Sequence, residues 1–153
     1  MKGEIGLNVV IVSKNKKDFL SLLLLADEQE NMIDKYLQRG VLFALYDDDL
    51  KSVCVVTDEG NGIFELQSLA TYPQFREKGY GRYLINYACA YYKGQGARML
   101  VGTGDVPAIL RFYEKSGFEF SHRVENYFPE FYEKPIFADG VRLTDKVYLK
   151  RDL

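Results

Sequence analysis

The segment Arg76-Glu-Lys-Gly-Tyr-Gly-Arg82 brings three cations and two glycines together within seven residues, a combination that can hold a phosphate. Gly79 and Gly81 have no Cβ, so the backbone there can take unusual dihedrals and a ligand can approach the main chain closely. If a helix starts here, its first N–H groups have no partner inside the helix and present a partial positive charge. Arg76, Lys78 and Arg82 add full charges beside them. A solvated surface turn would have the same composition. Two other phosphate patterns are excluded: no Gly-Lys-Ser/Thr closes a Walker A loop, and Leu84 stands where the dinucleotide pattern Gly-x-Gly-x-x-Gly needs its last glycine.

Other reactive residue types read as structural. Asp47-Asp-Asp49 offers carboxylates, but a calcium loop spaces its acids over about a dozen residues around a glycine and closes on a glutamate. The run reads as a polar hairpin turn, and no metal is expected. Cys54 and Cys89 lie in apolar segments with no Cys-x-x-Cys spacing and no histidine nearby, which fits buried thiols. His122, the single histidine, sits beyond Phe118 in a strand with no partner in sequence reach and reads as a surface or edge residue.

Periodicity gives the elements that position these residues. Ile63 to Thr71 has strand character, and Tyr80, Leu84, Ile85, Ala88 and Tyr91 recur at helical spacing, so the glycines sit at a strand-to-helix turn. Upstream, Ile5 to Val12 predicts a first strand, and Asp18 to Ala26 and Gln29 to Gln38 predict two helices with one apolar side each, the second ended by Gly40. Val41 to Tyr46 and Ser52 to Thr57 predict strands either side of the aspartate turn. Downstream, Met99 to Val101 predicts a short buried strand, with a splay or bulge at Gly102-Thr-Gly104. Asp105 is a candidate cap for a helix that has Pro107 in its first turn and ends at Gly117. Phe118 opens another strand, Tyr127 to Glu133 a short helix or loop, and Val141 to Lys150 a final strand entered through the Asp139-Gly140 turn. This order makes an α+β fold, a mixed central sheet flanked by helices, in a single domain over residues 1–153.

Composition narrows the partners. A chain of 153 residues can bury roughly two thirds of its unfolded surface in one domain. Charged residues at 27% against 47% hydrophobic exclude a disordered chain. A net charge of −2 argues against a nucleic-acid partner, which needs a strongly basic face. Met1 to Ile5 lacks a charged region leading into an apolar core, and Leu20 to Ala26 is too short to span a bilayer, so a cytoplasmic protein without a membrane partner is expected.

Arg76-x-x-Gly79-x-Gly81, preceded by Pro73 and followed by an amphipathic helix, resembles the acetyl-CoA pyrophosphate loop of the GCN5-related N-acetyltransferases. Phe112-Tyr113-Glu-Lys-Ser-Gly117-Phe118 resembles that family's Phe-Tyr-x-x-x-Gly-Phe segment, and it follows the loop in the family's order. Val101-Gly-Thr-Gly104, Asn126-Tyr-Phe128, Tyr132-Glu133 and Asp139-Gly140-Val141 with Asp145 look like a bacterial branch of small acetyltransferases. Asp105, Asn126 and Phe131 depart from that branch's asparagine, acid and histidine, which leaves the substrate open. The resemblance implies the acyl-CoA N-acyltransferase fold and an enzyme that moves an acetyl group from acetyl-CoA to a primary amine of a small molecule or peptide. A non-catalytic acyl-CoA-binding or interaction module on the same fold is the alternative. Homodimers are common in the family.

That reaction needs the nucleotide held, the amine relieved of a proton and the leaving thiolate given one. The resemblance assigns holding to Arg76, Glu77, Lys78, Gly79, Tyr80, Gly81 and Arg82. It assigns the pantetheine arm to the backbone of Leu69, Ala70 and Thr71 along an exposed strand edge. Glu65, eleven residues before Arg76, stands where several family members carry a base. It is also an acid in an otherwise apolar strand, where burial would raise its pKa. A solvated glutamate on the open face of the sheet is its other reading. The motif makes Tyr113 the candidate acid, against a core tyrosine bonded to a carbonyl. Tyr127, Phe128, Phe131, Tyr132 and Glu133 are candidates for an acceptor pocket, aromatic walls with a carboxylate suited to a cationic amine, unless ordinary packing accounts for them.

Overall fold

The computed structural model describes residues 6–153. Seven strands form one sheet in the order β1-β2-β3-β4-β5-β9-β6, and every neighbouring pair is antiparallel except β4 and β5. They are β1 (Leu7–Val12), β2 (Val41–Asp47), β3 (Asp49–Gly60), β4 (Ile63–Thr71), β5 (Arg98–Gly104), β6 (Glu119–Val124) and β9 (Lys146–Asp152). Ile5, the expected first residue of β1, lies outside the described residues. The single parallel pair follows from chain direction: β4 ends at the glycine loop, and α3 (Tyr80–Tyr92) carries the chain back before β5 starts.

Apolar side chains leave the sheet on both faces and are covered by different helices. On one face Phe64, Leu66, Met99, Val101, Val147 and Leu149 pack against Leu84, Ile85, Ala88 and Tyr92 of α3, with Leu110, Phe112 and Tyr113 of α4 (Pro107–Lys115) at the margin. On the other, Val53, Val55 and Ala70 pack against Leu22 and Leu23 of α1 (Leu20–Ala26) and Ile33, Tyr36 and Leu37 around α2 (Glu30–Ile33). Each fully buried leucine or isoleucine contributes roughly 1.5–3 kcal/mol. The buried stripe of α3 therefore anchors the start of that helix firmly. Leu22, Leu23 and Leu24 of the leucine quartet belong to this second core while Leu25 is exposed, and among the described residues no helix is long and apolar enough to cross a membrane.

Several expected boundaries move, each for a local reason. The helix expected over Gln29 to Gln38 is regular only through Ile33; turns follow to Gly40, and the buried Lys16 ammonium collects the carbonyls of Leu37, Gln38 and Gly40. Asp105 does not cap α4. Val106 is the capping residue, one position later, and Asp105 pairs with Arg123 at 2.9 Å. Asp139 and Gly140, both at positive φ, close a small hairpin of β7 (Phe137–Ala138) and β8 (Val141–Arg142) instead of launching the last strand, which begins only at Lys146. An Asp-Gly pair with both residues left-handed is the tightest hairpin turn available.

The sheet is open in the middle. β4 and β5 are bonded only from Ile63–Arg98 to Leu66–Val101, although β4 runs on to Thr71 and β5 to Gly104. The expected splay is therefore present, but β5 itself carries no bulge: it stays in register with β9 from Arg98–Asp152 to Gly104–Lys146. The irregularity sits in β4, where Gln67 has no partner on β3 between Val55–Ser68 and Val56–Leu66. That extra residue reverses which face the following side chains take. Leu66 and Leu69 consequently share the α3 face, while Ala70 joins the α1 core.

Candidate active site

The glycine loop is built as a helix start with nothing on it. Glu77 (φ 62°) and Gly79 (φ 88°) are left-handed, and no side chain caps α3. The first helical bond runs from Tyr83 N–H to Gly79 C=O, so the amides of Tyr80, Gly81 and Arg82 emerge unpaired from the helix end. A Cβ at Gly81 would come within 3.4 Å of Phe112 and 3.6 Å of Leu69, so loop, β4 and α4 meet closely here. Arg76 and Arg82 are exposed beside the loop, and Arg76 Nε donates to Thr71 C=O at 3.3 Å. Tyr80 contributes its main chain only. Its ring is buried, and its hydroxyl donates to Asp47 at 2.7 Å, which pushes its pKa up to about 12. The aspartate hairpin thus fastens the loop to the sheet.

From the loop a cleft of about 1370 Å³ runs along the open edge of β4 and through the splay to the opposite face. Gln67 to Thr71 have no strand beside them on the β5 side, so their main-chain groups there are free to bond an extended ligand. Ser68 Oγ is buried in the same wall without a hydrogen-bond partner among the described residues. Leu69, Ala70, Thr71, Arg76, Glu77, Gly79, Tyr80, Gly81 and Arg82 all line the cleft; Lys78 is exposed outside its lining.

Tyr113 and Glu65 reach the cleft from opposite faces of the sheet. Tyr113 stands on α4 with its ring edge-on to Phe112 and Phe118, and its hydroxyl has no partner among the described residues. Burial holds this phenol well above its ordinary pKa, so it stays protonated as a donor. Glu65 lies opposite Leu100 on the other face. Burial raises its pKa first of all; Lys146 and Arg39 pull it down and Glu59 pushes it up. A carboxylate shifted this way is a stronger proton acceptor than an exposed one.

Around Glu65 lies a chamber walled by α5 (Tyr127–Phe131), the end of α1 and β9. Tyr127, Phe128 and Tyr132 line it as the sequence led us to expect. Phe131 and Glu133 do not: Phe131 is exposed under the Lys35 ammonium, and Glu133 borders a small separate depression near Pro135. Four wall residues went unsuspected. Asp27 accepts hydrogen bonds from Tyr36 (3.1 Å) and Tyr132 (2.7 Å), tying α5 to α1, and Tyr148 and Lys146 rise from β9. His122, exposed on β6, stacks on Tyr148 with ring centroids 4.6 Å apart and stays outside the cleft.

Comparison with known proteins agrees with this geometry. Residues 38–120, which hold Glu65, the loop and Tyr113, match the model of the acetyltransferase (GNAT) domain. The chain is 29% identical over 150 residues to the uncharacterized N-acetyltransferase YvbK of Bacillus subtilis (strain 168), covering 96% of this chain and 97% of that one. Among solved structures, a GNAT family acetyltransferase from Elizabethkingia anophelis with acetyl-CoA bound superposes with a TM-score of 0.91, at 26% identity over 97% of this chain and 99% of that one. A Bacillus subtilis acetyltransferase in complex with CoA superposes with a TM-score of 0.88, at 28% identity over 96% and 99% of the two chains.

Proposed function

The chain belongs to the family of acetyltransferase (GNAT) domains, and from that premise we propose that it transfers the acetyl group of acetyl-CoA directly to a primary amine of a small molecule or peptide. What carries the reading is the run of free main chain on β4. It joins an uncapped, glycine-flanked helix start at one end to a half-buried carboxylate at the other.

Each part of the cleft has a task in this reading. The amides of Tyr80, Gly81 and Arg82, with the charges of Arg76 and Arg82, hold the diphosphate. Leu69 to Thr71 bond the pantetheine arm by strand addition. Acetyl-CoA supplies the acetyl group as a thioester. Glu65, directly or through water, takes the proton that an ammonium must lose before its nitrogen can attack, and Tyr113 gives a proton to the departing sulfur. Cys54 and Cys89 are both buried, with thiols pushed up by desolvation, which supports direct transfer over a cysteine-bound acetyl group.

Thiol release from acetyl-CoA across an amine panel, alongside CoA binding, tests the assignment. Glu65→Gln and Tyr113→Phe should each lower kcat by about 10²–10⁴-fold while CoA affinity holds. CoA binding without thiol release for any amine would instead identify a binding module on this fold.

A further inference from the structure

Lys146 is a cation in the acceptor chamber that forms no ion pair among the described residues. It begins β9, and its side chain crosses β5 over Gly102, where a Cβ would collide with its Cε and come within 2.8 Å of the Tyr148 ring. Glycine at 102 is thus what lets this side chain lie along the sheet. Opposed residues on adjacent strands share a face, so Glu65, Leu100, Gly102, Tyr148, Gly104 and Lys146 lie on one face of the sheet, and all but Leu100 line the cleft. The ammonium rests 4.3 Å from the Tyr127 ring centroid and 5.1 Å from that of Tyr148.

Among the described residues no carboxylate forms an ion pair with Lys146, whereas Lys17 has two such partners and Lys51 one. Of the two acids that act on it, Asp27 already accepts two tyrosine hydroxyls, and Glu65 forms no hydrogen bond or ion pair with it. Lys35, Arg39 and Glu28 line the same cleft, with the Lys35 ammonium 5.0 Å from the centroid of the exposed Phe131 ring. Glu133, the carboxylate that would have welcomed a polycation, lies outside it. A largely desolvated ammonium is costly unless an anion completes it, and a ligand can supply that anion.

We infer that the acceptor is an amino carboxylic acid, its amine presented to Glu65 and its carboxylate paired with Lys146. This deepens the transferase reading and rests on it. The mixed charge of the chamber fits a zwitterion better than a polyamine, and Tyr127, Tyr132 and Tyr148 supply walls for an apolar or aromatic side chain.

The test compares acceptors that differ only in the carboxylate: L-phenylalanine against L-phenylalaninamide and phenethylamine, and 4-aminobutyrate against 4-aminobutanamide. Wild type should favour the acid of at least one set by roughly tenfold or more in kcat/KM. Measured on the plateau above the acid limb of the pH profile, Lys146→Met should remove about 30-fold or more of kcat/KM for that acid, chiefly through KM, and a much smaller factor for its neutral partners. Calorimetry of CoA-loaded protein with the matching N-acetylated products gives a readout that needs no turnover. There the carboxylate should tighten binding in wild type and not in Lys146→Met. Neutral amines used as well as acids, equal losses for both in the variant, or an acetyl group appearing on Lys146 itself would overturn the inference. Absence of thiol release with every amine, while acid products still bind through Lys146, would sink the transferase reading and spare the carboxylate site.

Discussion

At the scale of single residues, the burial that suits Glu65 to accept a proton also makes it unfavourable for folding. Its pKa is higher folded than unfolded, so its contribution to stability is present in full below the ordinary carboxylate pKa and is lost as pH rises through the raised value. Glu65→Gln should therefore melt above wild type at pH 7–8, and the gap should close near pH 4; equal melting points at both pH values would mean a solvated carboxylate. Lys146 acts on the same group in the opposite direction. Removing that cation in Lys146→Met should move the acid limb of the kcat/KM profile to higher pH, whichever acceptor is used. Glu65 was visible in the sequence because an acid interrupts an apolar strand and stands at a motif offset. Lys146 was not, because nothing in Asp-Lys-Val-Tyr marks a lysine as buried until Gly102 is seen beneath it. Asp27 escaped for a similar reason, since its partners Tyr36 and Tyr132 lie 9 and 105 residues away.

At the scale of elements, the cleft depends on two strands that part company. The glycines of β5 announced this from sequence, but the break is shared out differently: Gln67 bulges from β4, and Gly102 and Gly104 make room for side chains of β9 and of Leu143. Strand and helix periods exposed β4 and α3 correctly because burial alternates residue by residue along β4 and one stripe of α3 is buried along its length. They overran after α2 and before β9, where a lysine collecting carbonyls and a two-residue hairpin decide the path. The lysine acts from 21 residues away, and the hairpin's left-handed pair satisfies a turn rule that a longer strand also seemed to meet. If Gly102 is there to seat Lys146, Gly102→Ala should displace Lys146 and the Tyr148 ring. Overpacking of this kind costs about 1–3 kcal/mol. We expect acceptor KM to rise and CoA affinity to stay unchanged; a loss of CoA affinity instead would place the damage along β4.

For the whole molecule, the two helical layers share one sheet, and we expect the chain to unfold in a single cooperative step as one domain. In the proposed reading, CoA bound at the loop then stabilises the entire fold. CoA at 100 times its Kd adds about 2.7 kcal/mol, which for a chain of this size raises Tm by roughly 5–11 °C. Gly79→Ala separates the loop's two roles. Gly79 sits at φ 88° at the head of α3, where a Cβ introduces strain of about 1–2 kcal/mol and turns the free amides away from the cleft. The variant should lose a few degrees without ligand and gain much less from CoA than wild type does. A drop in the ligand-free Tm with the CoA-induced rise intact would show that the loop only shapes the fold. In that case the diphosphate would have to be held by something other than the start of α3.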